Sequence, residues 1–306
     1  MKFSIYQESR QGARKMNQDR IAHVYSRDAL LMVLADGMGG HAHGEIAAQI
    51  AVQFMAEAFQ KEANPILRDP AGFLLQTIRS AHHAILDYVG SKSLRETPRT
   101  TCVACVVQDG FAHWAHVGDS RLYHLRNNNI VSRTTDHSRV QRLIDEGELT
   151  EEGVAMHPER NKIYSCLGSD NTPLIDISAP AALETGDTLL LCSDGFWGAL
   201  SRPQLLAGVN ANDLNRSLAR LMGDAERAAG ATSDNISVIA MTWIERTQDP
   251  INDEISTQTI PIDGFTTQME EFGSNKSRPP DLTESEIEQA IQEIRTAIQK
   301  YSTPGK

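Results

Sequence analysis

Short, almost wholly apolar runs that break off at an aspartate constrain this chain more than any other feature. Leu30-Leu31-Met32-Val33-Leu34 leads into Ala35-Asp36-Gly37. Ala112-His113-Trp114-Ala115-His116-Val117 leads into Gly118-Asp119-Ser120, and Thr188-Leu189-Leu190-Leu191-Cys192 into Ser193-Asp194-Gly195. Asp234-Asn235 reverses the order and precedes Ile236-Ser237-Val238-Ile239-Ala240. Runs of this length and character read as strands. Strand ends gathered along one sheet edge place the next side chain rigidly, and carboxylates converging there repel unless a cation lies between them. The pattern points to a site for hard divalent metals. A single Asp-Gly pair is a common turn, but four strand-edge aspartates exceed what turns alone explain. Asp19 adds a fifth acid near the N-terminus.

The residues around these aspartates carry a resemblance. Arg14-Lys15-Met16-Asn17-Gln18-Asp19, Ala35-Asp36-Gly37-Met38-Gly39-Gly40-His41 and Val117-Gly118-Asp119-Ser120-Arg121 resemble motifs of the metal-dependent Ser/Thr protein phosphatases, the PPM or type-2C family. Thr135-Asp136-His137-Ser138, Cys192-Ser193-Asp194-Gly195 and Ser233-Asp234-Asn235 complete the set in the family's order. The likeness covers about residues 1 to 245 and is closest to bacterial members. It implies an α+β fold, a four-layer αββα sandwich of two antiparallel sheets with helices on both outer faces.

The pattern along the chain agrees with a layered α+β domain, with strands grouped between helices rather than alternating with them. A helical stripe runs from Gly44 to about Glu62 through Ile46, Ile50, Phe54, Ala58 and Phe59. A second, over residues 70 to 90, carries Phe73, Leu74, Ile78, Ala81, Ile85 and Val89. Strand-like runs cluster from Thr101 to Leu125, ahead of a polar turn at Asn127-Asn128-Asn129. Residues 136 to 170 are charged and irregular. Strands return near 174 to 178 and 187 to 192, a helical stretch fills about 203 to 229, and a last strand spans 236 to 243. The expected organisation is a catalytic domain over 1–245, an acidic polar linker over 246–280 and an amphipathic helix over 281–306. Residues 246 to 306 hold 11 acidic and 6 basic residues, a net of −5. Thr283-Glu284-Ser285-Glu286 has capping-box form, and Ile287, Ile291, Ile294, Ile298 and Tyr301 follow at helical spacing. That apolar face is expected either to pack on the domain or to bind a partner.

A net charge of −11 over 306 residues argues against nucleic acid or an anionic membrane as partner. No apolar run is long enough to cross a bilayer, and the first residues lack a secretory signal's apolar core, so a cytoplasmic location is expected. An acidic protein can still attract an anionic phosphoester, because bound cations reverse the local field. Cys102 and Cys105 form a Cys-x-x-Cys pair inside a strand-like run. Residues three apart in a strand face opposite ways, so core packing is expected, not zinc or redox chemistry.

Phosphomonoester hydrolysis is slow unaided. Two divalent ions held close together can bind a water between them, lower its pKa and clamp the phosphoryl oxygens for in-line attack. Oxygen ligands suit Mn²⁺ or Mg²⁺. The resemblance implies that Asp36 bridges two ions, that the Gly37 carbonyl binds one of them, and that Asp194 and Asp234 serve the other. It implies that Asp19 orients metal-bound water, that Arg14 binds the substrate phosphate, and that Asp119 helps Asp194 hold a third, weaker ion. Phosphorylated proteins are the implied substrates, with a cognate Ser/Thr kinase as the opposing enzyme. A catalytically inactive member that binds phosphorylated partners is the alternative. Two departures stand out. Met38 occupies the position where animal relatives carry a proton-donating histidine, and Gln18 stands where some relatives have glutamate. His41 is expected to fix its own loop. Residues 136 to 170 correspond to the flap of bacterial relatives, and Arg139, Arg142, Arg160 and Lys162 there are expected to aid capture of an anionic substrate.

Overall fold

A computed structural model describes residues 1–38, 43–92, 97–150, 153–154, 157–245 and 266–269. Its strands form two sheets in which every pairing is antiparallel. One has the order β1 (Lys2–Arg10), β11 (Ile236–Glu245), β10 (Thr188–Cys192), β6 (Arg121–Arg126) and β7 (Asn129–Arg133). The other runs β12 (Thr266–Met269), β2 (Asp19–Tyr25), β3 (Ala29–Asp36), β4 (Cys102–Gln108), β5 (Phe111–Val117) and β8 (Asp176–Ile177), with β9 (Ala181–Ala182) also on β5. Among the described residues the α-helices are α1 (Gly44–Glu62), α2 (Pro70–Lys92), α3 (Arg139–Asp145), α4 (Asp194–Trp197), α5 (Arg202–Gly208) and α6 (Leu214–Ala229).

Alternation along the central strands explains why the sheets stack. In β3, Leu30, Met32 and Leu34 join a core between the sheets, while Leu31, Val33 and Ala35 face α1 and α2. In β11, Ile239, Met241 and Trp243 take the inner side, and Ile236, Val238 and Ala240 face α4, α5 and α6. A strand apolar on both faces must be covered on both. Each four-layer sandwich of this kind therefore carries three apolar seams, as found here. Cys102 lies in the helix-side seam and Cys105 in the inter-sheet seam, so the two thiols do face apart, and burial pushes the Cys102 thiol up to about 12.

The helical stretch expected over 203 to 229 is two helices. Asn210 breaks it, its side chain accepting from the Asn212 N–H in a short turn. Within the expected linker, Thr266–Met269 pair with β2 as an edge strand. The expected terminal helix lies outside the described residues. Among the described residues, no helix is long and apolar enough to cross a membrane.

Candidate metal and phosphate site

The sheet registers bring the aspartates to one end of the sandwich. Asp19 opens β2 and Asp36 closes β3, and the two are register partners. Asp119 lies two residues beyond the end of β5, Asp194 two beyond β10, and Asp234 two before β11. Strand polarity thus delivers all five carboxylates to the same rim. Asp194 is also the first residue of α4, a single turn whose Phe196 is wholly buried in the seam below. A carboxylate at a helix start sits at the positive end of the peptide dipoles.

Main-chain anchors fix the loops that carry these groups. The Thr101 hydroxyl accepts the Asp36 N–H at 3.1 Å and meets the Ser120 hydroxyl at 2.7 Å, joining the Asp36 and Asp119 loops. The Asp36 carbonyl accepts from the Thr100 hydroxyl and from the Thr101 N–H. Trp197 Nε1 donates to the Asp119 carbonyl at 3.0 Å, and the Arg121 guanidinium lies 3.4 Å over the Trp197 ring while gripping Asp136 with two hydrogen bonds. Asn235 pins the N-terminal loop. Its amide donates to the Gln11 and Met16 carbonyls, and its oxygen accepts the Gln18 N–H. Gly37 is needed for close approach, since a Cβ there would lie 2.4 Å from the Gly44 carbonyl oxygen.

Electrostatics mark the cluster as strained in the absence of countercharge. Burial, followed by the charges of Asp19, Asp194, Asp119 and Asp234, holds the Asp36 carboxyl well above its ordinary range. Burial and then Asp194 and Asp136 do the same to Asp119. Burial raises Asp194 to about 7, helped by Asp234 and Asp19, and raises Asp19 to about 6. The Ser193 and Ser237 hydroxyls moderate the Asp19 shift without meeting hydrogen-bond geometry, so both its oxygens are buried with no such partner among the described residues. An unpartnered buried carboxylate is costly. Oxygen-only donors of this kind, with an orphaned carboxylate among them, suit a hard divalent cation. Among the described residues, no three of these carboxylates bring their oxygens within 4.8 Å of one another. Asp234 forms a 2.6 Å ion pair with Arg14.

Arg14 is half exposed at the rim. Gln18 donates from its amide to Glu45 Oε2 of α1 at 3.1 Å. Met38 is half-buried beside Gly37 and its N–H donates to the Arg99 carbonyl. His41 lies outside the described residues. The basic flap is less free than its composition implies. Glu159 pairs with both Arg139 and Lys162, and Arg142 packs over the Tyr164 ring. Glu45, Thr101, Ser120, Trp197 and Asn235 belong to the site without having been singled out from the sequence. Asn235, next to Asp234, carried the nearest thing to a signal.

Comparison with known proteins shows the family and the fold. A family model described as protein phosphatase 2C matches residues 7–235. The serine/threonine protein phosphatase PstP of Mycobacterium tuberculosis is 34% identical over 222 residues, covering 71% of this chain; the chain spans 41% of that relative's length. The crystal structure of the S. agalactiae serine/threonine phosphatase is 30% identical with a TM-score of 0.71, covering 80% of this chain and 100% of that one. The catalytic domain of PstP solved in complex with 2 manganese ions is 29% identical with a TM-score of 0.67, covering 79% and 99%.

Proposed function

Because this chain belongs to the protein phosphatase 2C family, we propose that it is a metal-dependent hydrolase of phosphoserine and phosphothreonine in proteins. The observation that carries the reading is the set of carboxylates from five separate strand ends; burial first, and then their like charges, hold Asp19, Asp36, Asp119 and Asp194 above their ordinary pKa range. Asp36 would bridge two ions, with the Gly37 carbonyl on one and Asp194 and Asp234 on the other; Asp119 and Asp194 would share a third, weaker ion. When bound, Mn²⁺ or Mg²⁺ would supply an activated water and charge neutralisation for the phosphoryl group.

The chain's own residues then have defined tasks. Asp19, buried and the register partner of Asp36, would orient water held by the ions. Arg14, on a loop pinned by Asn235, presents a planar guanidinium to the phosphate oxygens at the rim. Met38 has no proton to give, so proton delivery to the departing serine or threonine oxygen would fall to water in the site or to another group. A phosphorylated serine or threonine side chain of a protein is the substrate, and a Ser/Thr kinase acting in the same cytoplasm is the opposing activity. The inactive alternative gains no support, since the sequence carries every carboxylate and the arginine that the resemblance requires.

Phosphate release from a phosphothreonine peptide, titrated with Mn²⁺ and with Mg²⁺ and then with chelator, tests this reading. Activity that appears with metal and vanishes on chelation is expected. Turnover that is indifferent to chelation would remove it.

A further inference from the structure

His116, near the end of β5, and His137, in the turn before α3, stack with ring centroids 4.7 Å apart beside Asp176 of β8. Both rings are buried, 3% and 2% exposed, and none of the roles above uses them. One ligand-type atom from each of the three residues lies within 4.8 Å of the others, which invites a metal reading. The hydrogen bonds assign the ring nitrogens otherwise. A metal-binding histidine gives a lone pair from one nitrogen and usually donates N–H from the other. His116 meets that condition, because Nε2 lies 2.8 Å from the Thr135 carbonyl and must carry the proton. His137 does not. Its Nδ1 accepts the Gly118 N–H at 3.2 Å, so the neutral ring holds its proton on Nε2, 3.3 Å from Asp176 Oδ2. A protonated Nε2 has no lone pair to offer a cation.

His137 instead grips a single residue twice. Its backbone N–H donates to the Gly118 carbonyl at 2.9 Å, while its Nδ1 accepts the N–H of the same glycine. Gly118 sits at φ 103°, a conformation open to glycine, and a Cβ there would come within 2.6 Å of the Thr101 methyl group. On the other flank of Asp119, the Ser120 hydroxyl is held by Thr101. The Asp119 backbone is thus fixed from both sides. The His137 carbonyl also accepts the Tyr164 N–H at 2.9 Å, and the Tyr164 ring stacks on His137.

We propose that His137 is a positioning residue for Asp119, gripping both polar groups of Gly118 so that the Asp119 carboxylate stays beside Asp194. The clamp sets the affinity of the weakest cation, the one those two carboxylates would share. This rests on the reading of Asp119 as a metal ligand.

Three substitutions separate what the ring does. His137→Asn keeps an acceptor near Nδ1, His137→Gln keeps a donor near Nε2, and His137→Phe keeps the stack alone. The readouts are calorimetric titration with Mn²⁺ and exchange of the Gly118 amide in ¹⁵N-labelled protein, alongside phosphatase assays. The Gln and Phe variants are expected to weaken the weakest Mn²⁺ step by about tenfold, in line with lost supporting contacts at metal sites, and to speed Gly118 exchange. The Asn variant should stay within about threefold of the parent, since it retains the acceptor. Combining His137→Gln with Asp119→Ala should cost that step nothing beyond Asp119→Ala alone, as for residues acting as one unit. Equal behaviour of Asn and Gln, or additive losses, overturns the proposal. Loss of the weakest step in Asp119→Ala but not in His137→Gln overturns the clamp alone. An Asp119→Ala protein that keeps the step removes the ligand assignment and the clamp together. If the Phe variant does not fold, the Asn and Gln comparison decides.

Discussion

Asp19 and Asp194, raised to about 6 and about 7, tie stability and metal affinity to pH. An aspartate in an unfolded chain titrates near 3.9. Between about pH 4 and 7 the native protein therefore binds more protons at these groups than the unfolded chain does. Their contribution is fully present below the unfolded value and is lost as pH rises through the folded one. Cations compete for the same carboxylates, so their affinity should climb over that window. The rise in Tm on adding Mn²⁺ should be larger at pH 7.5 than at pH 5.5. Taking the difference against chelated protein cancels groups such as His23, lowered to about 4 by burial. An equal shift at both pH values would detach the carboxylates from the metal. Arg14 makes a separate prediction: Arg14→Ala should raise KM by about 30-fold, the equivalent of about 2 kcal/mol for a charged hydrogen bond, with a smaller change in kcat. Collapse of kcat at fixed KM would assign Arg14 to the transition state alone. The five aspartates and Arg14 were legible because each stands in a recognisable local pattern. Glu45 and Thr101 were not, since nothing local distinguishes a helical glutamate or a strand-edge threonine from its many ordinary counterparts.

Elements place these residues through packing rather than through their own propensity. α4 is one turn long and could not persist alone, yet it carries Asp194 at its first position because Phe196 is locked in the helix-side seam. Phe196→Ala should cost about 3 to 5 kcal/mol in unfolding free energy and weaken Mn²⁺ binding as well. Denaturant melts and a metal titration on the same samples check this; a destabilised variant with unchanged metal affinity would uncouple α4 from the site. The long helices α1 and α2 and the wholly apolar strands were visible as periodicity. The break between α5 and α6 was not, because Asn210 turn chemistry overrode an apolar stripe that continues on either side of it. Strand β1 alternates between Phe3 and Ile5 on one side and Ser4 and Tyr6 on the other, and every residue in it is only half-buried. Its edge position leaves a weak pattern.

At the scale of the whole molecule, the proposed function asks an acidic chain to handle a phosphoester, and negative charge concentrated at one rim would do so by drawing cations that invert the field there. Every described member of the three apolar seams falls within residues 1–245, so a chain ending after Glu245 should fold and keep metal-dependent activity, losing the β12 edge contact with β2. A truncated protein that is folded but inert would move part of the catalytic apparatus into the tail. The carboxylate rim itself is tested most directly by turnover of a phosphothreonine peptide at saturating Mn²⁺ by Asp36→Asn beside the parent. Halving the bridging charge should cost about 10³-fold or more, as for loss of a shared ligand in a two-metal site. Near-normal, metal-dependent turnover in Asp36→Asn would contradict the assignment of this rim as the catalytic centre.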